Sequence, residues 1–166
     1  PAGGVYVLEL SSYQIDLTAS LDCDVALLLN ISPDHLDRYD GFDAYAASKA
    51  RLFDMLGADH AAIFASKDEK TRLALDGLRK LGRVQNIVDT SHREIAGQAG
   101  WPSLQGPHNL QNAIAAIAVV EALGLTEAQW RPALARFACL PHRMERVAEA
   151  GGILFVNDSK ATNPAS

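Results

Sequence analysis

A chain of 166 residues has room for one ordinary domain with a sizeable core, or for one domain and the first elements of another. Its 48% hydrophobic and 21% charged residues are those of a soluble globular protein and exclude extended disorder. With 15 basic against 20 acidic residues the formal net charge is −5, and the scattered Lys and Arg disfavour a nucleic-acid or anionic-membrane partner. No apolar run reaches the roughly 18 to 20 residues that cross a bilayer, and no charged-then-apolar signal segment opens the chain. Cys23 and Cys139 lack metal-type spacing and read as buried thiols of a reducing cytosol.

In chain order, Pro1-Ala-Gly-Gly leads without an initiator Met straight into an apolar run, as in a piece cut from something longer. Val5 to Leu10 and Val25 to Ile31 have no helical period and predict strands buried on both faces of a parallel sheet. Ala61 to Ala65 and Val84 to Val88 repeat that pattern. Helices are predicted over Phe42 to Leu56, closed by Gly57, and over Glu69 to Leu81, closed by Gly82. Ile95 to Pro107, rich in Gly and Pro, is the least determined stretch. Leu110 to Leu123 predicts a long Ala-rich helix packed closely on the sheet and ended by Gly124, and Thr126 caps the next, Glu127 to Phe137. Arg146 to Asn157 predicts a strand pair turning at Gly151-Gly152. Alternating strands and helices give an α/β fold, a mainly parallel sheet flanked by helices, with a domain boundary near Leu140.

Polar islands interrupt this pattern at the ends of apolar runs, where open α/β sheets gather ligands. They are Glu9-Leu-Ser-Ser-Tyr-Gln14, Asn30 to Tyr39, Gly106-Pro-His-Asn-Leu-Gln-Asn112, Leu140-Pro-His-Arg143 and Asn157-Asp-Ser-Lys-Ala-Thr162. Adjacent strand ends bring Glu9 and His35 towards one metal, although a solvated strand end and a helix start at Pro33-Asp34 explain the same residues. Lys49 has small neighbours that let it lie close to the sheet, where a crowded lysine can lose its proton; a solvated surface lysine is the competing explanation. Asn109 and Asn112, one turn apart at a helix entrance, suit an adenine edge, and capping by Asn109 is compatible with that role. Arg143 offers a fork to phosphate from a hinge, while Asp158, Lys160 and Thr162 offer an acceptor, a countercharge and a hydroxyl, or simply form a turn.

Five islands in this order resemble the ATP-dependent Mur ligases of peptidoglycan synthesis, over essentially the whole chain. The resemblance implies the second half of a P-loop-like central ATP-binding domain over 1–140, and over 141–166 the first strands of a Rossmann-like C-terminal domain. It assigns Glu9, His35 and a carbamylated Lys49 to magnesium. Asn109 and Asn112 fall to the adenine, Arg143, Asp158 and Lys160 to the nucleotide, and Ser11 and Thr162 to substrate, Thr162 near the incoming amino acid. Lys49, His35, Arg143 and Lys160 become the catalytic set.

Glu9 to Gln14 and Leu140 to Arg143 are most similar to the member that adds D-glutamate to UDP-N-acetylmuramoyl-L-alanine. The resemblance implies ATP-driven acyl-phosphate chemistry with Mg²⁺, in a full-length enzyme expected to be a cytoplasmic monomer. The phosphate loop Gly-x-x-x-x-Gly-Lys-Ser/Thr does not occur in the sequence, so the segment alone is expected to be inactive and to bind ATP weakly. A folate-extending ligase of the same superfamily and a non-catalytic nucleotide-binding module are the alternatives.

Overall fold

The computed structural model describes residues 4–34, 36–65 and 67–161; His35 and Thr162 lie outside them. Three strands, β1 (Val25–Leu28), β2 (Ala61–Phe64) and β3 (Asn86–Asp89), form a parallel sheet in the order β1-β2-β3. Val25 pairs with Ala61 and Ala61 with Asn86. Helix α1 (Ser12–Leu17) precedes β1. Between β1 and β2 runs α2 (Phe42–Ala50), continued by a 3-10 turn over Arg51–Met55, and α3 (Glu69–Leu81) connects β2 to β3. These are the two βαβ units expected of the strand and helix alternation, so the α/β class stands.

The sheet's two faces are covered by different helices. Ala26, Leu28, Ala62 and Phe64 share one cluster with Tyr45, Phe53, Leu75 and Leu78, and the Phe53 and Phe64 rings stack at 4.5 Å. Side chains alternate along a strand, so Ala61 and Ile63 face the other way. There α4 (Pro107–Ala122) lies against β1 and β2, burying Ala113, Ala115 and Ala118; these small residues allow the close approach that the Ala-rich sequence predicts. Helix α5 (Glu127–Arg136) adds Trp130 to a second cluster with Trp101, Leu104, Ala113 and Ile117. Last comes an antiparallel hairpin of β4 (Glu145–Ala150) and β5 (Ile153–Asn157), turning at Gly151 and Gly152. Their φ values of 59° and 75° give the double left-handed turn that matches strand twist.

Several expectations are corrected. Val5 to Leu10 is not a strand: Val5, Tyr6, Val7 and Leu8 are exposed, and no described residue offers the ladder without which an apolar run cannot become one. Gly57 does not close α2. The α-helix ends at Ala50 and its 3-10 continuation at Met55, Leu56 is already extended, and Gly57 instead admits His60, whose Nδ1 would stand 3.0 Å from a Cβ there. Gly82 and Gly124 do end their helices, with φ of 62° and 86°. Helix α4 starts at Pro107, not Leu110, with Gly106 as its cap, so Asn109 is not the cap. Cys23 and Cys139 are half-buried free thiols rather than buried ones, and Cys139 donates to Ser103 O at 3.0 Å. No helix of the described residues is long and apolar enough to cross a membrane.

Candidate functional site

The island residues fall on four structural units. Ser11 caps α1: its Oγ accepts from Gln14 N at 3.3 Å, and Gln14 Oε1 accepts from Ser11 N and Oγ, each at 2.8 Å. That capping box fixes where α1 begins, so the Ser11 hydroxyl is held by its own helix. Glu9, two residues earlier, is exposed, and its carboxylate has no protein partner among the described residues. Glu9 therefore does not stand at a strand end, because residues 4–10 form no strand.

Lys49 sits half-buried in the last turn of α2, with Nζ 5.1 Å above the Tyr45 ring. Tyr45 is 5% exposed. Burial pushes its hydroxyl above the usual tyrosine range, and the negative charge of Asp34 adds to the shift. Among the described residues no three His, Cys, Asp or Glu side chains gather as a metal cluster. The sparse set proposed from sequence includes His35, which lies outside those residues.

Asn109 and Asn112 project from the first turns of α4, one half-buried and one exposed. Asn109 Nδ2 donates to Gln105 O at 3.0 Å, anchoring the preceding loop. That loop, undetermined from sequence, is ordered by two glutamines. Gln98 Nε2 donates to Leu104 O and Gly106 O, and Gln105 Nε2 to Gln98 O and Trp101 O, all at 2.7 to 2.8 Å. Trp101 fills the space beneath at 2% exposure.

Two further polar residues tie this region to the sheet. Gln111 Nε2 donates to Ala65 O at 2.7 Å, joining α4 to the carboxyl end of β2. Asp68 caps α3 through Thr71 N at 2.8 Å and accepts from Ile31 N at 3.2 Å, just beyond β1. Gln111 stands between the two candidate asparagines, and Asp68 directly precedes the predicted helix from Glu69; their positions were the only available signal.

At the base of the β4-β5 hairpin, the segment that carries Asp158 and Lys160 is bonded to the backbone on either side of Arg143. Asp158 Oδ1 accepts from Met144 N at 3.0 Å, and Lys160 N donates to His142 O at 3.1 Å. His142 and Met144 flank Arg143 with φ of 66° and 46°, left-handed backbone that side chains adopt only when held. Glu145 Oε2 accepts from His142 N at 2.9 Å, and Asn157 Nδ2 stands 2.8 Å from His142 Nδ1. Asn157 thus knits the two islands, a role that its place in the motif did not reveal.

A cleft of about 520 Å³ opens among Asp24, Asp59, His60 and Asn86, at the amino ends of the strands. Ligands of open α/β sheets bind at the carboxyl ends, where Asn30 follows β1 and Gln111 of α4 reaches Ala65 O, so this cleft is not the site.

Residues 3–100 match the Mur ligase middle domain. The chain belongs to the Mur ligase family. It is 63% identical to the UDP-N-acetylmuramoylalanine--D-glutamate ligase of Novosphingobium aromaticivorans and 54% identical to that of Sphingopyxis alaskensis, in both cases over its whole length. It spans 38% of the length of each of these two relatives. The solved structure of MurF from Acinetobacter baumannii superposes with a TM-score of 0.69 at 23% identity, covering 86% of this chain and 35% of that one, and so shares the Mur ligase fold.

Proposed function

We propose that this chain is the middle of an ATP-dependent ligase that adds D-glutamate to UDP-N-acetylmuramoyl-L-alanine, with its domain boundary near Leu140. The observation that carries this is the 63% identity over the whole chain to a ligase of that name. The bonds that join the Asp158 to Lys160 segment to the backbone on either side of Arg143 support it. The folate-type ligase and the non-catalytic module have no comparable observation in their favour.

In the proposed reaction the terminal carboxylate of the UDP-sugar-alanine attacks the γ-phosphorus of ATP, giving an acyl phosphate and ADP. The amine of D-glutamate then attacks the acyl carbon, loses a proton, and inorganic phosphate leaves. The first step brings two anions together, so positive charge must be placed before they meet. Lys160 and Arg143 supply it from the hinge, Arg143 as a planar fork. Asn109 and Asn112 present amide donors and acceptors to the adenine, and Asp158 an acceptor to a ribose hydroxyl.

Glu9 suits a magnesium ion chemically, since its unpartnered carboxylate is the hard oxygen donor that such an ion takes one or two of from protein. Glu9, His35 and a carbamylated Lys49 would hold magnesium, which offsets the charge between carboxylate and phosphate when bound. Ser11 and Thr162 are assigned to substrate, Ser11 while serving as a helix cap. The enzyme works as a cytoplasmic monomer on small molecules, with neither nucleic acid nor membrane as partner.

The test is phosphate release by the full-length protein given ATP, Mg²⁺ and UDP-N-acetylmuramoyl-L-alanine, with D-glutamate, L-glutamate, L-alanine or meso-diaminopimelate offered in turn. Release with D-glutamate alone is expected. Release with a different amino acid, or with none, overturns the assignment.

A further inference from the structure

Outside the island motifs, the carboxylate of Asp16, in the last turn of α1, collects three side-chain donors. Its Oδ1 accepts from Ser48 Oγ at 2.7 Å and from Arg51 Nη1 at 3.2 Å, and its Oδ2 accepts from the Tyr39 hydroxyl at 2.9 Å. Three donors thus converge from the loop that carries the second island and from α2 with its continuation. Ser48 is 6% exposed, and its hydroxyl lies 3.3 Å from that of Tyr39. These bonds, the one from Ser48 foremost, hold the Asp16 carboxyl below its usual range, so it stays a charged acceptor.

Two routes lead from this carboxylate to Lys49. One is covalent: Ser48 is the residue before Lys49, so the bond to Asp16 fixes α2 at the point where the lysine leaves it. The other runs through rings. Tyr39 stacks on Tyr13 at 6.2 Å and meets Tyr45 edge to face at 5.5 Å, and the Lys49 ammonium lies over the other end of that contact, on Tyr45. Among the described residues no hydrogen bond or ion pair holds that ammonium, so the ring and the helix are what orient it. A lysine stem loses rotamer freedom when its end group is fixed, and a prepared surface lowers that cost.

We propose that Asp16 is a positioning residue for Lys49, setting the helix turn and the aromatic surface that aim its side chain. The inference rests on the proposed place of Lys49 in the ligase site, and it assigns Asp16 no contact with substrate.

The test is Asp16→Asn in the full-length enzyme, with steady-state kinetics, thermal unfolding, and the carbon-13 carbamate signal after equilibration with labelled bicarbonate. A supporting residue behind a site group commonly changes its function about 10-fold. A fall of about that size in kcat is expected, with KM for ATP little changed and a weakened carbamate signal. Tyr39→Phe and Ser48→Ala each remove one donor, keep the ring or the helix, and should show smaller losses of the same kind. They carry the test if Asp16→Asn does not fold.

A lowered unfolding temperature with kcat and carbamate signal intact would make the network a mere fastening and overturn the proposal, as would a lost kcat with the signal unchanged. Lys49→Ala separates the two levels. If it stays active, or if the unsubstituted enzyme shows no carbamate, the reading of Lys49 falls and the proposal with it. If it is inactive while Asp16→Asn behaves like the unsubstituted enzyme, only the positioning role falls.

Discussion

Replacing Gln111 by Met keeps the length of the side chain and removes one donor. In the structure that donor, Nε2, reaches Ala65 O at 2.7 Å, and Ala65 is 3% exposed at the end of the fully buried strand β2. Without it the Ala65 carbonyl, on a residue that is almost wholly buried, loses its α4 partner. Stranding a buried acceptor costs about 1–3 kcal/mol, and a protein of this size shifts by about 2–4 °C per kcal/mol, so a loss of about 2 kcal/mol and roughly 4–8 °C is expected. Urea unfolding followed by tryptophan fluorescence suits the measurement, because Trp101 and Trp130 are both buried in the cluster beside α4. Asn112→Ala, at an exposed position on the same helix, is the control and should stay within about 0.5 kcal/mol. An unchanged urea midpoint for Gln111→Met would refute the claim that this bond fastens α4 to the sheet.

Trp101→Ala removes a side chain that is 2% exposed and should cost about 3–5 kcal/mol by chemical denaturation, loosening the loop that leads into Asn109. Arg93 grips Glu121 at 2.7 and 2.9 Å, and its hydrogen bonds hold the Glu121 carboxyl below the usual range. A depressed carboxyl stabilises the fold above its unfolded pKa, about 4.3, and that stabilisation is lost as pH falls through the lower folded value. Glu121→Gln should therefore lower stability by about 1 kcal/mol at neutral pH, the pair being about a third exposed, and flatten the acid limb of the stability curve; an unaltered acid limb would contradict this. Lys49→Ala in the full-length enzyme should sharply reduce activity, with partial recovery in small carboxylic acids that replace the carbamate; full activity would remove Lys49 from the site.

Periodicity made β1, β2, β3, α3 and α5 legible, because each pairs or packs within the described chain and its pattern is answered there. Val5 to Leu10 carries a strand pattern just as clear and forms none, since a strand is a property of two segments and this one has no partner among the described residues. The turn at Gly151-Gly152 could be read because double left-handed backbone leaves few residue types to choose from. The loop before α4 could not: Gln98 and Gln105 hold it by reaching backbone carbonyls at separations that no short-range pattern encodes. The site divides in the same way. Arg143, Asp158 and Lys160 were visible as motif residues, whereas Gln111, Asp68 and Asp16 act across 46, 37 and 32 positions of sequence and appear only once the chain is folded.

The most direct measurement is incorporation of labelled glutamate into the UDP-sugar by the full-length enzyme, with the D and L isomers run side by side. The predicted product forms only with ATP and carries D-glutamate on UDP-N-acetylmuramoyl-L-alanine, with none of the L isomer. Label entering only from L-glutamate, or no labelled UDP-sugar at all, would contradict the assignment.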